Sequence, residues 1–103
     1  MKYTYIKELK PVVAILDCSA YEGGYMIHRI NVPKRHRRFG HGTALLQEAI
    51  TDADTEGAKL YLGLSPSDGM DFDELECWYK KHGFVELEDG MYIREPNRGN
   101  INV

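Results

Sequence analysis

The segment Arg37-Arg38-Phe39-Gly40-His41-Gly42-Thr43-Ala44 carries the residue types and spacing best suited to chemistry. Two glycines bracket one residue, a basic pair precedes them, and a helical pattern starts at once. Glycines let the backbone approach a ligand closely, and successive unpaired N–H groups then point into one concavity. The positive end of the following helix adds roughly half an elementary charge in the same direction. Arg37, Arg38 and the Thr43 hydroxyl can supply further hydrogen bonds to phosphate oxygens. The segment therefore reads as a cradle for a diphosphate. It is too short for the dinucleotide fingerprint G-x-G-x-x-G and lacks the Lys-Ser/Thr pair of a P-loop.

The elements that must position this cradle follow from patterning. Tyr3 to Leu9 predicts a short edge strand ending at Lys10-Pro11. Val12 to Cys18 and Tyr25 to Val32 predict two more strands, joined as an antiparallel hairpin through Gly23-Gly24. Pro33 stops the second, because it cannot donate to a ladder. From Thr43 the period becomes helical: Leu45, Leu46, Ala49, Ile50 and Ala53 form one stripe, and Gly57 ends the helix. Lys59 to Leu64 predicts a strand parallel to Tyr25–Val32 through a right-handed crossover. Ser65 to Gly69 is turn chemistry.

A second helix is expected near Asp71, with Asp71 as cap and Glu74 three residues on. It carries Phe72, Leu75, Trp78 and Tyr79 on one face and ends at Gly83. Phe84–Leu87 and Met91–Arg94 make a last hairpin. The result is an α+β mixed sheet of order βββ-α-β-α-ββ. Residues 1–95 are expected to form one compact domain, and 96–103 a disordered tail.

Two motifs in this order resemble the GNAT family of N-acetyltransferases. One is Arg37-x-x-Gly40-x-Gly42, similar to the Arg/Gln-x-x-Gly-x-Gly/Ala segment with which that family holds the pyrophosphate of acetyl-CoA. The other is Trp78-Tyr79-Lys80-Lys81-His82-Gly83-Phe84, similar to its aromatic-Tyr-x-x-x-Gly-Phe signature. Val32-Pro33 also stands at the usual distance before Arg37. The resemblance covers roughly Tyr25 to Arg94 and departs from the family in lacking its usual N-terminal strand and helices, which form one wall of the acceptor pocket. The small size, the long acidic loop before the second helix and the Leu60-Tyr61 strand resemble a miniature phage-borne anti-CRISPR acetyltransferase.

The resemblance implies acetyl-CoA as cosubstrate and a definite set of roles. The thioester oxygen would be stabilised by a backbone N–H near Ile30, and Val32 would pair with the pantetheine arm like an added strand. Arg37, Arg38, Phe39, Gly40, His41, Gly42 and Thr43 would bind the cofactor. Tyr79 would protonate the departing thiolate, as a phenol of pKa ~10 can. His28 is the sharpest candidate base. It lies two residues before Ile30, so strict alternation puts both side chains on one face, and histidine titrates near neutrality. Glu22, Asp17 and bulk water remain alternatives.

Bulk properties narrow the partners. Net charge is −3 over 103 residues, which argues against a global nucleic-acid-binding field. Lys34 to Arg38 is the only strong basic cluster, with no helix-turn-helix around it. Asp68–Glu76 and Glu86–Asp89 are acidic and would steer a cationic partner. Two cysteines, Cys18 and Cys77, lack metal-ligand spacing and point to reduced thiols in a cytoplasmic setting, with no metal expected. No stretch could span a membrane. The expected reaction is acetyl transfer to a primary amine, most readily a protein lysine, by direct attack. Polyamine acetylation, a silent CoA-binding module and a nucleic-acid binder using residues 34–38 are the alternatives. A homodimer that rebuilds the missing wall is left open.

Overall fold

The structure is a computed structural model that describes residues 1–64 and 71–97. Six strands and two α-helices alternate as β1 (Thr4–Glu8), β2 (Val13–Tyr21), β3 (Gly24–Asn31), α1 (His41–Glu56), β4 (Lys59–Gly63), α2 (Phe72–Lys81), β5 (Val85–Glu88) and β6 (Met91–Arg94), with a 3-10 turn at Lys34–His36 before α1. The strands form one mixed sheet in the order β1-β2-β3-β4-β6-β5. This is the α+β order that the sequence predicts. The expected turn at Ser65–Gly69 and the tail from Arg98 onward lie outside the described residues. Asn97, assigned to that tail, donates its backbone N–H to Asp54 Oδ1 at 2.8 Å.

Glu22 and Gly23 both take positive φ, so the β2–β3 hairpin closes on a two-residue turn whose twist suits the strands. Gly24 has a different reason to be glycine. A Cβ there would lie 1.9 Å from the Lys59 carbonyl oxygen, so only a bare backbone lets β4 pair this closely with β3. That pairing is parallel, as expected of a strand–helix–strand unit, and α1 forms the crossover.

Both helices pack on one face of the sheet. Leu45, Leu46, Ala49, Ile50 and Ala53 of α1 meet Leu16 and Cys18 of β2, Ile27 of β3, Leu60 and Leu62 of β4, and Tyr92 of β6 in a single core, which Leu75 and Tyr79 of α2 and Phe84 complete. Asp71 caps α2 by accepting from the Glu74 N–H at 2.8 Å. Beyond α2, Gly83 adopts φ +95° and leaves room for Arg94, whose Nε would stand 3.2 Å from a Cβ at that position. The opposite face carries Ile6, Val13, Ile15, Asp17, Ser19 and Val85, and no described helix covers it. Among the described residues no helix is long and apolar enough to cross a membrane.

Candidate functional site: an open helix start facing a buried phenol

The cradle is assembled by the chain between β3 and α1. After Asn31 the strand ends; Pro33 then starts the 3-10 turn, in which His36 N–H donates to the Pro33 carbonyl at 2.8 Å. Arg37 folds back, its Nε donating to the Val32 carbonyl at 2.9 Å, and so pins the loop to the strand it has just left. Arg38 (φ +70°) and Gly40 (φ +83°) are both left-handed, with Phe39 between them. For Arg38 that geometry is strained, and residues in such strained conformations cluster at functional sites.

Gly40 caps α1 without offering a side-chain acceptor, and the first helical amide to meet a carbonyl is that of Ala44, which donates to Gly40 at 2.9 Å. The N–H groups of His41, Gly42 and Thr43 find no acceptor among the described residues, so the positive end of a 16-residue helix is exposed with its donors unused.

These amides open into a cleft of about 390 Å³. It exists because the sheet divides. The β3–β4 register ends at Ile27↔Leu62, whereas β4 continues to Gly63 against Met91 of β6. Residues 28–31 of β3 consequently have no β4 partner, and their edge faces the wedge. Ile30 and Val32 form the floor beneath Gly42, whose Cβ would meet their methyl groups at 3.9 and 3.6 Å. Across from the cradle, α2 contributes Glu74, Leu75, Trp78 and Tyr79 to the wall.

Tyr79 is only 8% exposed, and burial pushes its phenol up to about 12. Trp78 and Phe84 hold its ring edge-on, at centroid distances of 4.9 and 5.5 Å. No protein group bonds its hydroxyl among the described residues, and the oxygen is not sealed in the core, so the O–H is left for whatever enters the cleft. A core tyrosine bonded elsewhere would look different.

The cleft thus gathers Ile30, Val32, Arg37, Arg38, Gly40, His41, Gly42, Thr43 and Tyr79, which the sequence reading placed together. Three details of placement and one correction accompany them. Phe39 does not line the cleft and is 72% exposed. The Val32 carbonyl already accepts from Arg37, and the Arg37 Nε is spent on it, so both contribute to the loop's shape before they contribute to any ligand.

The correction concerns His28. It does not share a face with Ile30. A β-bulge between Asp17 and Cys18 gives β3 an extra residue, so Ile27 and Ile30, three apart, both face the helices opposite Cys18 and Leu16. His28 and Arg29 project to the other face, where His28 Nε2 lies 2.6 Å from Ser19 Oγ and Arg29 Nε donates to Asp17 at 2.7 Å. Arg29 and Thr4 hold the Asp17 carboxyl below its ordinary range despite some desolvation.

Sequence reasoning missed Asn31, Glu74, Leu75 and Trp78 as cleft residues. Helical spacing carried the signal for three of them, since residues 74, 75, 78 and 79 of α2 fall on one face.

The donor set suits a diphosphate: three unused amides, the helix's positive end, the Arg38 side chain and the Thr43 hydroxyl converge at one end of a cleft whose other wall presents a neutral phenol. Comparison with known proteins agrees with that chemistry. A family model described as "Acetyltransferase (GNAT) domain" matches residues 3–86. No curated protein sequence matches the chain.

Among solved structures, the ribosomal-protein-S18-alanine N-acetyltransferase from Escherichia coli is similar over 100% of this chain and 76% of its own, at 17% identity and a TM-score of 0.74. The anti-CRISPR protein AcrVA5 is similar over 87% of this chain and 96% of its own, at 19% identity and a TM-score of 0.69. A GNAT family acetyltransferase from Elizabethkingia anophelis with acetyl-CoA bound is similar over 89% and 74%, at 19% identity and a TM-score of 0.69. These likenesses concern the fold, and the family model decides the rest: the chain belongs to the GNAT family and is an acetyl-CoA-dependent N-acetyltransferase.

Proposed function

We propose that this chain transfers the acetyl group of acetyl-CoA to a lysine presented by another protein, by direct attack of the amine in a ternary complex. One observation carries the reading: the amides of His41, Gly42 and Thr43 and the hydroxyl of Tyr79, none of them bonded among the described residues, face the same cleft from opposite walls. Bound acetyl-CoA supplies an activated acyl carbon and a thiolate leaving group. The amides, with Arg38 and Thr43, would hold its diphosphate. The edge of β3 at residues 28–31, which β4 leaves unpaired, offers backbone donors for the acyl oxygen, and the Ile30 amide is our assignment. As the amine nitrogen bonds to the acyl carbon and the carbon–sulfur bond breaks, Tyr79 O–H would give its proton to sulfur.

The acceptor would approach from the sheet face that carries no described helix, through the gap between β3 and β4. His28 stands on that face, immediately after the last β3–β4 pair, with Ser19 fixing its ring. It is well placed to take the ammonium proton through water. A broad uncovered face suits a lysine on a macromolecule better than a small amine that needs enclosure. Calorimetric titration with acetyl-CoA, followed by acetylation assays on protein lysines and on polyamines, tests the reading. Modification of polyamines alone would reassign the acceptor. Absence of acetyl-CoA binding, with salt-dependent affinity for nucleic acid instead, would replace the proposal by a role for the Lys34–Arg38 run.

A further inference from the structure

Among the described residues, no large apolar side chain is more exposed than Phe39. It takes no part in the core. Left-handed backbone on both sides, at Arg38 and Gly40, holds it out from the loop, and its nearest ring is that of His41, 6.2 Å away between centroids and tilted by 44°. His41 lines the cleft; Phe39 does not. The two rings therefore straddle the rim of the cleft at the cradle.

Direction decides what that rim meets. A diphosphate has two substituents. If the cradle grips it, the acyl-bearing arm runs inward over Ile30 and Val32 towards Tyr79, and the nucleoside must leave on the other side, over the loop. That is where the largely exposed ring of Phe39 stands, directly after Arg38 in the chain. Every purine has a π-face, and an exposed phenyl ring next to a held phosphate is the simplest surface on which one can stack.

Building on the diphosphate assignment above, we infer that Phe39, with His41 at its edge, is a stacking platform for the purine base of the acyl donor. It makes this chain discriminate a complete nucleotide thioester from a truncated phosphopantetheine thioester. A base stacked on an aromatic side chain strengthens binding by roughly tenfold or more.

The test compares the dissociation constants of acetyl-CoA and acetyl-4′-phosphopantetheine for the full chain and for Phe39→Ala and Phe39→Trp. Phe39→Ala is expected to weaken acetyl-CoA about tenfold and to leave the truncated thioester within about twofold, so the preference collapses, while Phe39→Trp preserves it. Equal weakening of both ligands would mean that Phe39 only shapes the loop, and no change for either would mean that it touches neither; each overturns the inference while leaving the cradle intact. Failure of the unsubstituted chain to bind either thioester would remove the cradle, and the platform with it.

Discussion

Tyr79→Phe takes a single oxygen from the wall of the cleft and nothing else. The ring keeps its edge contacts with Trp78 and Phe84, and because the hydroxyl bonds no described protein group, its loss orphans no partner. Stability should consequently change by no more than about 0.5 kcal/mol. The catalytic effect should be far larger. With the phenol pushed up to about 12 by burial, about one molecule in 10⁵ is ionised at pH 7, so Tyr79 is a standing proton donor across the working range. Deleting a positioned general acid removes about 10²- to 10⁴-fold in rate.

The expected result is a kcat/KM reduced at least about 100-fold, with acetyl-CoA affinity within about twofold and a melting temperature within about 4 °C. The pH–rate profile adds an independent check. Because the raised phenol keeps its proton well above pH 10, Tyr79 contributes no alkaline fall below that point, and any such limb in the native enzyme must survive in the variant. A Tyr79→Phe enzyme that retains more than about a third of kcat/KM, or that loses acetyl-CoA binding, would refute the assignment of this hydroxyl as the acid.

The remaining predictions probe the cradle, the far face and the fold. Gly42→Val would place methyl groups over Ile30 and Val32 in the cleft, so calorimetry should show acetyl-CoA binding weakened at least about tenfold with no loss of melting temperature, since valine suits a helix no worse than glycine. His28→Gln should lower kcat/KM by about 10²-fold or more while leaving acetyl-CoA affinity within about twofold, and Ser19→Ala, which frees the His28 ring, should lower it less; an unchanged rate in both variants would exclude His28 as the base.

Alkaline stability gives a fourth outcome. Tyr25 and Tyr92 are raised to about 12, mainly by donating to Glu56 and Glu76, Tyr79 is raised by burial, and Tyr5 is raised by burial and by its bond to Asp52. In the unfolded chain these phenols release their protons near ~10 and the folded ones do not, so stability is full below pH 10 and is lost as pH climbs towards 12. Urea midpoints flat from pH 9 to pH 11.5 would contradict this.

What could be read from the chain alone follows from the range over which each signal acts. The α1 stripe is local: residues 45, 46, 49, 50 and 53 share a face by helical period, and all five are buried. The α2 cap is local too, as Asp71 accepts from the amide three residues on. His28 shows where locality fails. Its alternation with Ile30 is valid for a regular strand, but the bulge that reverses it is set by how β2 and β3 register, and β3's own residues do not encode that. The loop clasp of Arg37 on Val32 was equally hidden, because an arginine before a glycine pair reads as a phosphate ligand whether or not its Nε is spent on the backbone. Arg94 was the least legible of all. Nothing near it in the chain signals its burial, because the carboxylate that pairs with it, Asp54, lies 40 residues away.

That buried pair bears directly on the chemistry. The cleft has two walls, the start of α1 and the inner face of α2, and transfer requires that the cradle and the Tyr79 hydroxyl keep a fixed separation. Outside the cleft lining, Arg94 joins the same two helices through β6: its guanidinium meets both Asp54 oxygens, at 2.7 and 3.3 Å, while its Nε donates to the His82 carbonyl at the end of α2 at 3.0 Å. Gln47 adds a bond from α1 to the His82 ring at 3.0 Å. Burial works against the Asp54 carboxylate, but Arg94 and the Asn97 N–H outweigh it and hold the group below its ordinary range, so the clamp stays ionised at neutral pH and weakens only as the pH falls through that lowered value. The helix that presents unused donors at one end is thus held in position from its other half, and the cradle can leave its amides unsatisfied because the shared core and the clamp, not the cradle, fix α1 against α2.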